Sequence, residues 1–237
     1  MADITLYDLG SKQGQSWSGN VWRTRLLLNY KQLPYQTHFL EYPDLRPFLS
    51  SKGIPPGGEG TSAYTVPTLQ IGDRYIMDSA AIATEVERLY PTPALPLETP
   101  AGTKLRSKLS AVSSAIDPII KPQVPKTILN EASQEYFYST RRERHGMPLE
   151  QLEAEHGGSA AWEKVDEACR DLAQTLRENG GPFVEGKEPV YADFVTVAFL
   201  EFAKRAGQHI FERLVGPYPE LKALYEACKP WLARNDH

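Results

Sequence analysis

Twelve residues divide this chain into two kinds of sequence. Pro91 to Gly102, PTPALPLETPAG, holds four prolines and little that could pack against a core. A proline lacks an amide donor and fixes its own φ, so neither a helix interior nor a central strand runs through such a stretch. Before it, strand and helix patterns alternate; after it, apolar residues recur only at the helical spacing i, i+3, i+4. A chain punctuated this way is expected to fold as an α/β domain over 1–90, a linker over 91–102 and an all-α helical domain over 103–237.

The first part can be read element by element. Ile4 to Leu9, ITLYDL, has the β-branched and aromatic content of a short buried strand. SKQGQSWSGN is a polar loop, and VWRTRLLLNYKQ is a helix with Val21, Leu26, Leu27 and Tyr30 on its inward face. Leu33-Pro34 stops that helix, and YQTHFLEY alternates as a second strand. Short helix-like fragments follow Tyr42, and then an exposed loop, GIPPGGEG. VPTLQIGDRYIMDSAAIATEVERLYP predicts a strand, a Gly72-Asp73 turn, a second strand and a helix capped near Asp78-Ser79. The order βαβ, hairpin, helix is the thioredoxin-like arrangement: a mixed four-stranded sheet with helices packed on it.

Composition narrows the function classes. Of the 237 residues, 41% are hydrophobic and 24% charged, the balance of a globular water-soluble domain. No run approaches the roughly 18 apolar residues of a membrane span, and the acidic start MADITLYDLG lacks the shape of a signal peptide, so a cytoplasmic protein is expected. A net charge of -4 argues against nucleic acid or an anionic membrane as partner. The short run Arg141-Arg142-Glu143-Arg144 reads as solvated surface. Cys169 and Cys228 lie in helical patterns far apart and are expected to be reduced and buried. Five scattered histidines show no ligand spacing, so no metal is expected.

Three local signals converge on a site for a thiol peptide. At Val66-Pro67 a proline opens a strand; were the bond cis, the Val66 amide and carbonyl would face outward and could pair with an extended peptide, whereas a trans bond would make a plain strand edge. Asp78-Ser79 reads as an ordinary N-cap, or as a cap whose free amides also take a carboxylate while Asp78 takes an α-ammonium. A γ-glutamyl group carries both charges on one carbon. Ser18-Gly19-Asn20 places a hydroxyl at a helix start, either as a cap or as a donor to a thiolate. A glutathione-like thiol with a pKa of about 8.5 is only ~3% ionised at pH 7, and lowering it by two units takes roughly 2.7 kcal/mol of differential stabilisation.

Taken in order, S-G-N-V-W-R-T-R-L, V-P-T-L-Q-I-G and D-S-A-A-I-A-T-E-V resemble a cytosolic glutathione transferase over nearly the whole chain. The pattern S-x-x-x-W-R-T-R-L after a stretched loop resembles in particular the fungal-specific class A group, related to Ure2-like proteins and bacterial β-aryl etherases. The resemblance implies glutathione as co-substrate, Ser18 beside its thiol, Val66 with Pro67 on the cysteinyl backbone, and Asp78 with Ser79 at the γ-glutamyl end. It also implies Lys52, fourteen residues before Val66, near the glycyl carboxylate. Asn20, backbone amides alone, or Tyr7 at the first strand are the rivals of Ser18 for activating the thiol. Serine stands where omega-type members carry cysteine, so thiol-transfer chemistry is expected to be weak or absent. At a helix start where the family has S/T-x-x-D, this chain has Val190-Tyr191-Ala192-Asp193, so Asp193 must cap with other help or the helix begins elsewhere.

A second, apolar pocket is expected between the two parts, lined by Trp17, Trp22, Tyr64, Ile116, Ile119 and Ile120. The prolines of AIDPIIKPQVP either end a helix near Ile116 or bend one along that pocket, and Tyr136, Phe137 and Tyr138 read as core at helical spacing. The leading reading is an enzyme that turns glutathione on hydrophobic aromatic electrophiles by substitution, peroxide reduction or ether cleavage. The alternatives are a ligandin-type carrier of aromatic or polyphenolic compounds, and a regulatory protein with a vestigial site. The resemblance implies a homodimer, with contacts on the helices bearing Asp78 and Lys104.

Overall fold

The computed structural model describes residues 3–60 and 63–235. Strand β1 (Ile4–Leu9) is buried at every position but one and lies inside a four-stranded sheet of order β2-β1-β3-β4. β2 (Gln36–Leu40) runs parallel to β1, with Tyr7 opposite His38; β3 (Thr68–Ile71) is antiparallel, with Leu6 opposite Leu69. β4 (Arg74–Met77) closes the hairpin through Gly72, whose φ of 58° a side chain would resist. The mixed four-stranded sheet is therefore as expected, and the whole is a thioredoxin-like domain with a helical domain behind it.

Helix α1 (Gly19–Tyr30) joins β1 to β2 and is buried on more than the expected face. Val21, Leu26 and Leu27 are inside, but so are Trp22, Thr24 and Arg25, because the sheet covers one side and α9 (Tyr191–Ala206) the other. Tyr30 is half-buried, edge-on to Phe194 at 5.5 Å and Trp231 at 5.1 Å. Arg25 survives burial by pairing with Asp8 of β1 at 3.1 Å, both side chains fully enclosed. Its guanidinium also donates to the Thr37 hydroxyl at 3.0 Å, so α1, β1 and β2 share one polar knot.

After a 3-10 turn (Tyr42–Asp44) comes α2 (Leu45–Ser51), and after the hairpin α3 (Ser79–Leu89). Helix α4 (Pro100–Ile120) then takes in the last three residues of the expected linker. Thr99 Oγ1 accepts from the Gly102 amide at 3.0 Å, and Pro100 stands at the first position, where its missing amide costs no helical bond. The helix does not end near Ile116 but runs through Pro118 to Ile120. Short α5 (Gln123–Thr127), α6 (Glu131–His145) and α7 (Leu149–His156) follow, then α8 (Ser159–Arg177) laid along α4. Beyond α9, α10 (Gln208–Val215), α11 (Pro219–Ala227) and α12 (Lys229–Leu232) close the bundle.

At the start of α9 the valine does not need to cap. The buried Asp193 carboxylate accepts from the Val190 amide through one oxygen and from the Val184 amide through the other, both at 2.9 Å. The helix begins at Tyr191, and its cap is Asp193 reaching back, helped by the loop at Val184. Burial raises the Asp193 pKa to about 6 against the pull of those two amides. Cys169 and Cys228 are both buried and free.

The two halves are tied directly. The Tyr191 hydroxyl donates to the Ser79 carbonyl at 3.0 Å, and Asn130 Nδ2 donates to Glu41 Oε1 at 2.7 Å. The loop before α1 is also pinned: the Lys12 amide donates to the Ile128 carbonyl and the Ser16 amide to the Asn235 carbonyl, each at 2.8 Å. Trp17 and Trp22 brace it from within, their indole N–H groups donating to the Gly10 and Ser16 carbonyls at 3.1 and 3.2 Å.

Candidate functional site

That pinned loop delivers the first turn of α1 to a cleft between the halves. The cleft has two lobes of about 180 Å³ each, and Ser18, Asn20, Tyr42 and Arg141 border both. One lobe is walled by Leu9, Leu45, Tyr64, Thr65 and Val66, with Tyr136 and Arg144 of α6 above it. The other is walled by α4, α6 and α9 through Ser113, Ile116, Asp117, Ile120, Lys121, Phe137, Phe199 and Phe202, with Trp17 and Arg23 closing it. An aromatic line separates them: Phe202 to Trp17 at 6.1 Å, Trp17 to Tyr42 at 6.5 Å and Tyr42 stacked on Tyr136 at 5.1 Å.

Ser18 occupies the N-cap position of α1, with φ -67° and ψ 122°, yet its hydroxyl caps nothing. The carbonyl makes the first helical bond, from the Trp22 amide at 2.9 Å, so the hydroxyl is left for the cleft. An uncapped helix start presents free amides and partial positive charge, which favour an anion there. Across the lobe, Val66-Pro67 is cis. Among the described residues neither the Val66 amide nor its carbonyl has a hydrogen-bond partner in the protein. Unpaired backbone just ahead of a strand can pair with an extended peptide.

The other expected residues distribute unevenly. Asp78 caps α3 outright, with φ 78° and one oxygen accepting from the Ala80 and Ala81 amides at 2.8 and 3.1 Å. Its other oxygen makes no such bond, and Ser79 beside it is buried under Tyr191. Lys52 is exposed with its ammonium 5.2 Å from the Phe48 ring. Lys52, Pro67, Asp78 and Ser79 border neither lobe.

Tyr7 is removed from the contest for the thiol. Its phenol donates to Gln70 Oε1 at 2.8 Å within a cluster of His38, Phe48 and Tyr75, and burial together with Tyr75 pushes its pKa up to about 12. Four expectations for the second pocket need correcting. Trp22 is fully buried, held by its bond to Ser16, and does not reach the cleft. Ile119 is buried outside the lining, while Ile116 and Ile120, one turn apart on α4, reach it. Tyr64 walls the lobe of Val66, not the helical one.

The fourth concerns polarity. The helical lobe is not simply apolar, because Arg23, Lys121, Arg141 and Asp117 enter it. Arg141 was expected in solvent. Helical spacing instead puts it one turn beyond Phe137, its guanidinium 4.2 Å from that ring. Burial pushes the Lys121 ammonium below its ordinary pKa, with Asp117 opposing that fall and Arg141 and Arg144 adding to it. Burial also lowers Arg23. The Arg23 and Arg141 Nε groups are buried without a partner among the described residues. Phe199 and Phe202, three apart on α9, and Arg23, three beyond Asn20 on α1, share the helical faces that meet the cleft; that spacing was the available signal.

The comparisons with known proteins agree with this geometry. Residues 17–89 match the family model of the glutathione S-transferase N-terminal domain, and residues 108–214 that of the C-terminal domain. A glutathione S-transferase-like protein of Aspergillus flavus, ustS, is 32% identical over 243 residues, 92% of this chain and 86% of that protein. A crystal structure of a glutathione S-transferase of Ceriporiopsis subvermispora in complex with glutathione has a TM-score of 0.83 at 28% identity, covering 99% of this chain and 100% of that one. Glutathione transferase GSTFuA3 from Phanerochaete chrysosporium shares the fold, with a TM-score of 0.83 at 23% identity over 97% of both chains.

Proposed function

The chain belongs to the glutathione S-transferase family, and from that premise we propose that it binds glutathione in the lobe beside Val66, ionises its thiol and directs the thiolate at an aromatic electrophile in the helical lobe. The observation that carries this reading is the pairing, across one small lobe, of an unpartnered Val66 backbone with a Ser18 hydroxyl that caps nothing. The cysteinyl backbone pairs with Val66, which sets the sulfur at the first turn of α1. There the Ser18 hydroxyl donates to the thiolate, and the free amides of the helix start, with Asn20 one step in, favour its negative charge. The ends of the peptide reach past the lobe, where Asp78, through its unused oxygen, takes the α-ammonium of the γ-glutamyl end with Ser79 at its carboxylate, and Lys52 takes the glycyl carboxylate. The S-x-x-x-W-R-T-R-L segment after its long loop supports a place near the fungal-specific class A members. A cytoplasmic homodimer, meeting through the exposed faces of α3 and α4, completes the proposal.

Calorimetric titration with glutathione, followed by turnover of an activated aryl chloride, tests it. Binding with turnover supports the enzyme. Binding with no turnover above the uncatalysed rate, and an unshifted thiol pKa, would make the protein a carrier of aromatic ligands. Absence of glutathione binding would sink the reading altogether.

A further inference from the structure

A pocket built only to hold apolar rings would not be lined by cations, because each loses hydration there unless a partner compensates. The helical lobe is lined by three, each partly buried: Arg23 of α1, Lys121 at the end of α4 and Arg141 of α6. Asp117 is the one acid lining the lobe, and its carboxylate is shared, 3.7 Å from Lys121 Nζ and 3.4 Å from His145 Nε2. Arg144 adds a fourth cation on the neighbouring lobe. The Nε groups of Arg23 and Arg141 are buried donors without an acceptor among the described residues. Flat surface lies beside these charges, since Phe137 backs Arg141 at 4.2 Å and Phe202 lies 5.5 Å from Lys121 Nζ.

We propose that the second substrate is an anionic aromatic electrophile, its ring held among Phe137, Phe199 and Phe202 and its carboxylate, or an equivalent anion, received by Lys121 and Arg141 with Arg23 behind them. This rests on the transferase reading and narrows its substrate class. Lys121 borders the helical lobe alone and Arg141 both lobes, so Lys121 separates the second substrate's charge from those of glutathione. The anion supplies a counter-charge where three cations face one carboxylate, that of Asp117, and the cations direct the ring's reactive carbon toward Ser18.

The test uses para-chloro-meta-nitrobenzoate and its methyl ester, which differ by one charge. Glutathione thiolate, its proton already lost to solvent, forms the sulfur–carbon bond at the chlorinated ring carbon, and chloride leaves with the bonding electron pair. With glutathione saturating and each kcat/KM divided by that substrate's uncatalysed rate constant, because the ester ring is intrinsically the more reactive, the acid is expected to exceed the ester by about tenfold or more, the scale of one charge-assisted hydrogen bond. Lys121→Met and Arg141→Met should each erode that ratio toward one, mainly by raising KM for the acid, and Lys121→Met should leave glutathione affinity unchanged. Calorimetry of the two preformed conjugates makes the same comparison without turnover. Equal handling of acid and ester by the unmodified protein, or a preference that survives both substitutions, overturns the proposal while leaving the transferase reading in place. If glutathione itself does not bind, the transferase reading fails first and the proposal falls with it.

Discussion

Ser18→Ala removes one hydroxyl from the first turn of α1 and separates capping from catalysis. An N-cap serine usually contributes about 1 kcal/mol to its helix. Here the side chain accepts from no amide of α1, so the variant should lose less than about 0.5 kcal/mol and melt close to the parent. The effect on bound glutathione should be larger. A hydrogen bond to a charged group is worth about 1.5–3 kcal/mol, which at 1.36 kcal/mol per unit is roughly one to two units of thiol pKa. With a bound thiol near pKa 6.5, about three-quarters is thiolate at pH 7; near pKa 8, about a tenth is. Turnover at pH 7 should therefore fall several-fold and recover as pH rises past the new pKa. Ultraviolet absorbance of the thiolate, titrated in complexes of parent and variant, measures both values. An equal pKa in the two would refute the serine's role and pass it to Asn20 and the helix amides, to be checked with Asn20→Ala. An unshifted parent value, with tight glutathione binding, would refute activation itself.

Other outcomes follow from buried polar groups. Asp193→Ala strips two buried amides, of Val184 and Val190, of their acceptor and should cost about 2–4 kcal/mol by denaturant unfolding. Because burial raises the folded pKa of Asp193 from 3.8 to about 6, its stabilisation is complete below pH 3.8 and fades as pH climbs through 6, by roughly 3 kcal/mol; the alanine variant should lack that slope. Arg25→Met leaves Asp8 enclosed without its cation and should cost about 3–5 kcal/mol, with part regained on adding Asp8→Asn; no recovery in the double variant would argue against the pair as the cause. Tyr191→Phe cuts the tie to the Ser79 carbonyl, so glutathione affinity should drop several-fold with little change in melting, and an unaltered affinity would detach that tie from the site.

The order of elements was legible in the residues because it rests on local rules. Apolar and aromatic content made β1 readable and alternation β2, Gly72 marked the hairpin, and the four prolines from Pro91 to Pro100 marked the change of architecture. Ser18, Asn20 and Val66 were nominated by their places at element starts, where unpaired backbone is exposed, and they meet around one lobe. What local rules cannot carry is which face of a helix another part of the chain will cover. Trp22 looked like a pocket wall and is core, because α9 closes over α1 from the far side. Arg141 looked like solvent-facing charge and lies on Phe137, because α6 is turned toward the cleft. The loop before α1 reads only as polar but is held by the Ile128 and Asn235 carbonyls, remote in sequence. The residues alone thus determined the elements and nominated Ser18, Asn20 and Val66, which border one lobe. Only long-range packing decided the charge of the second lobe, since a cation's surroundings depend on which helices converge on it and not on its neighbours along the chain.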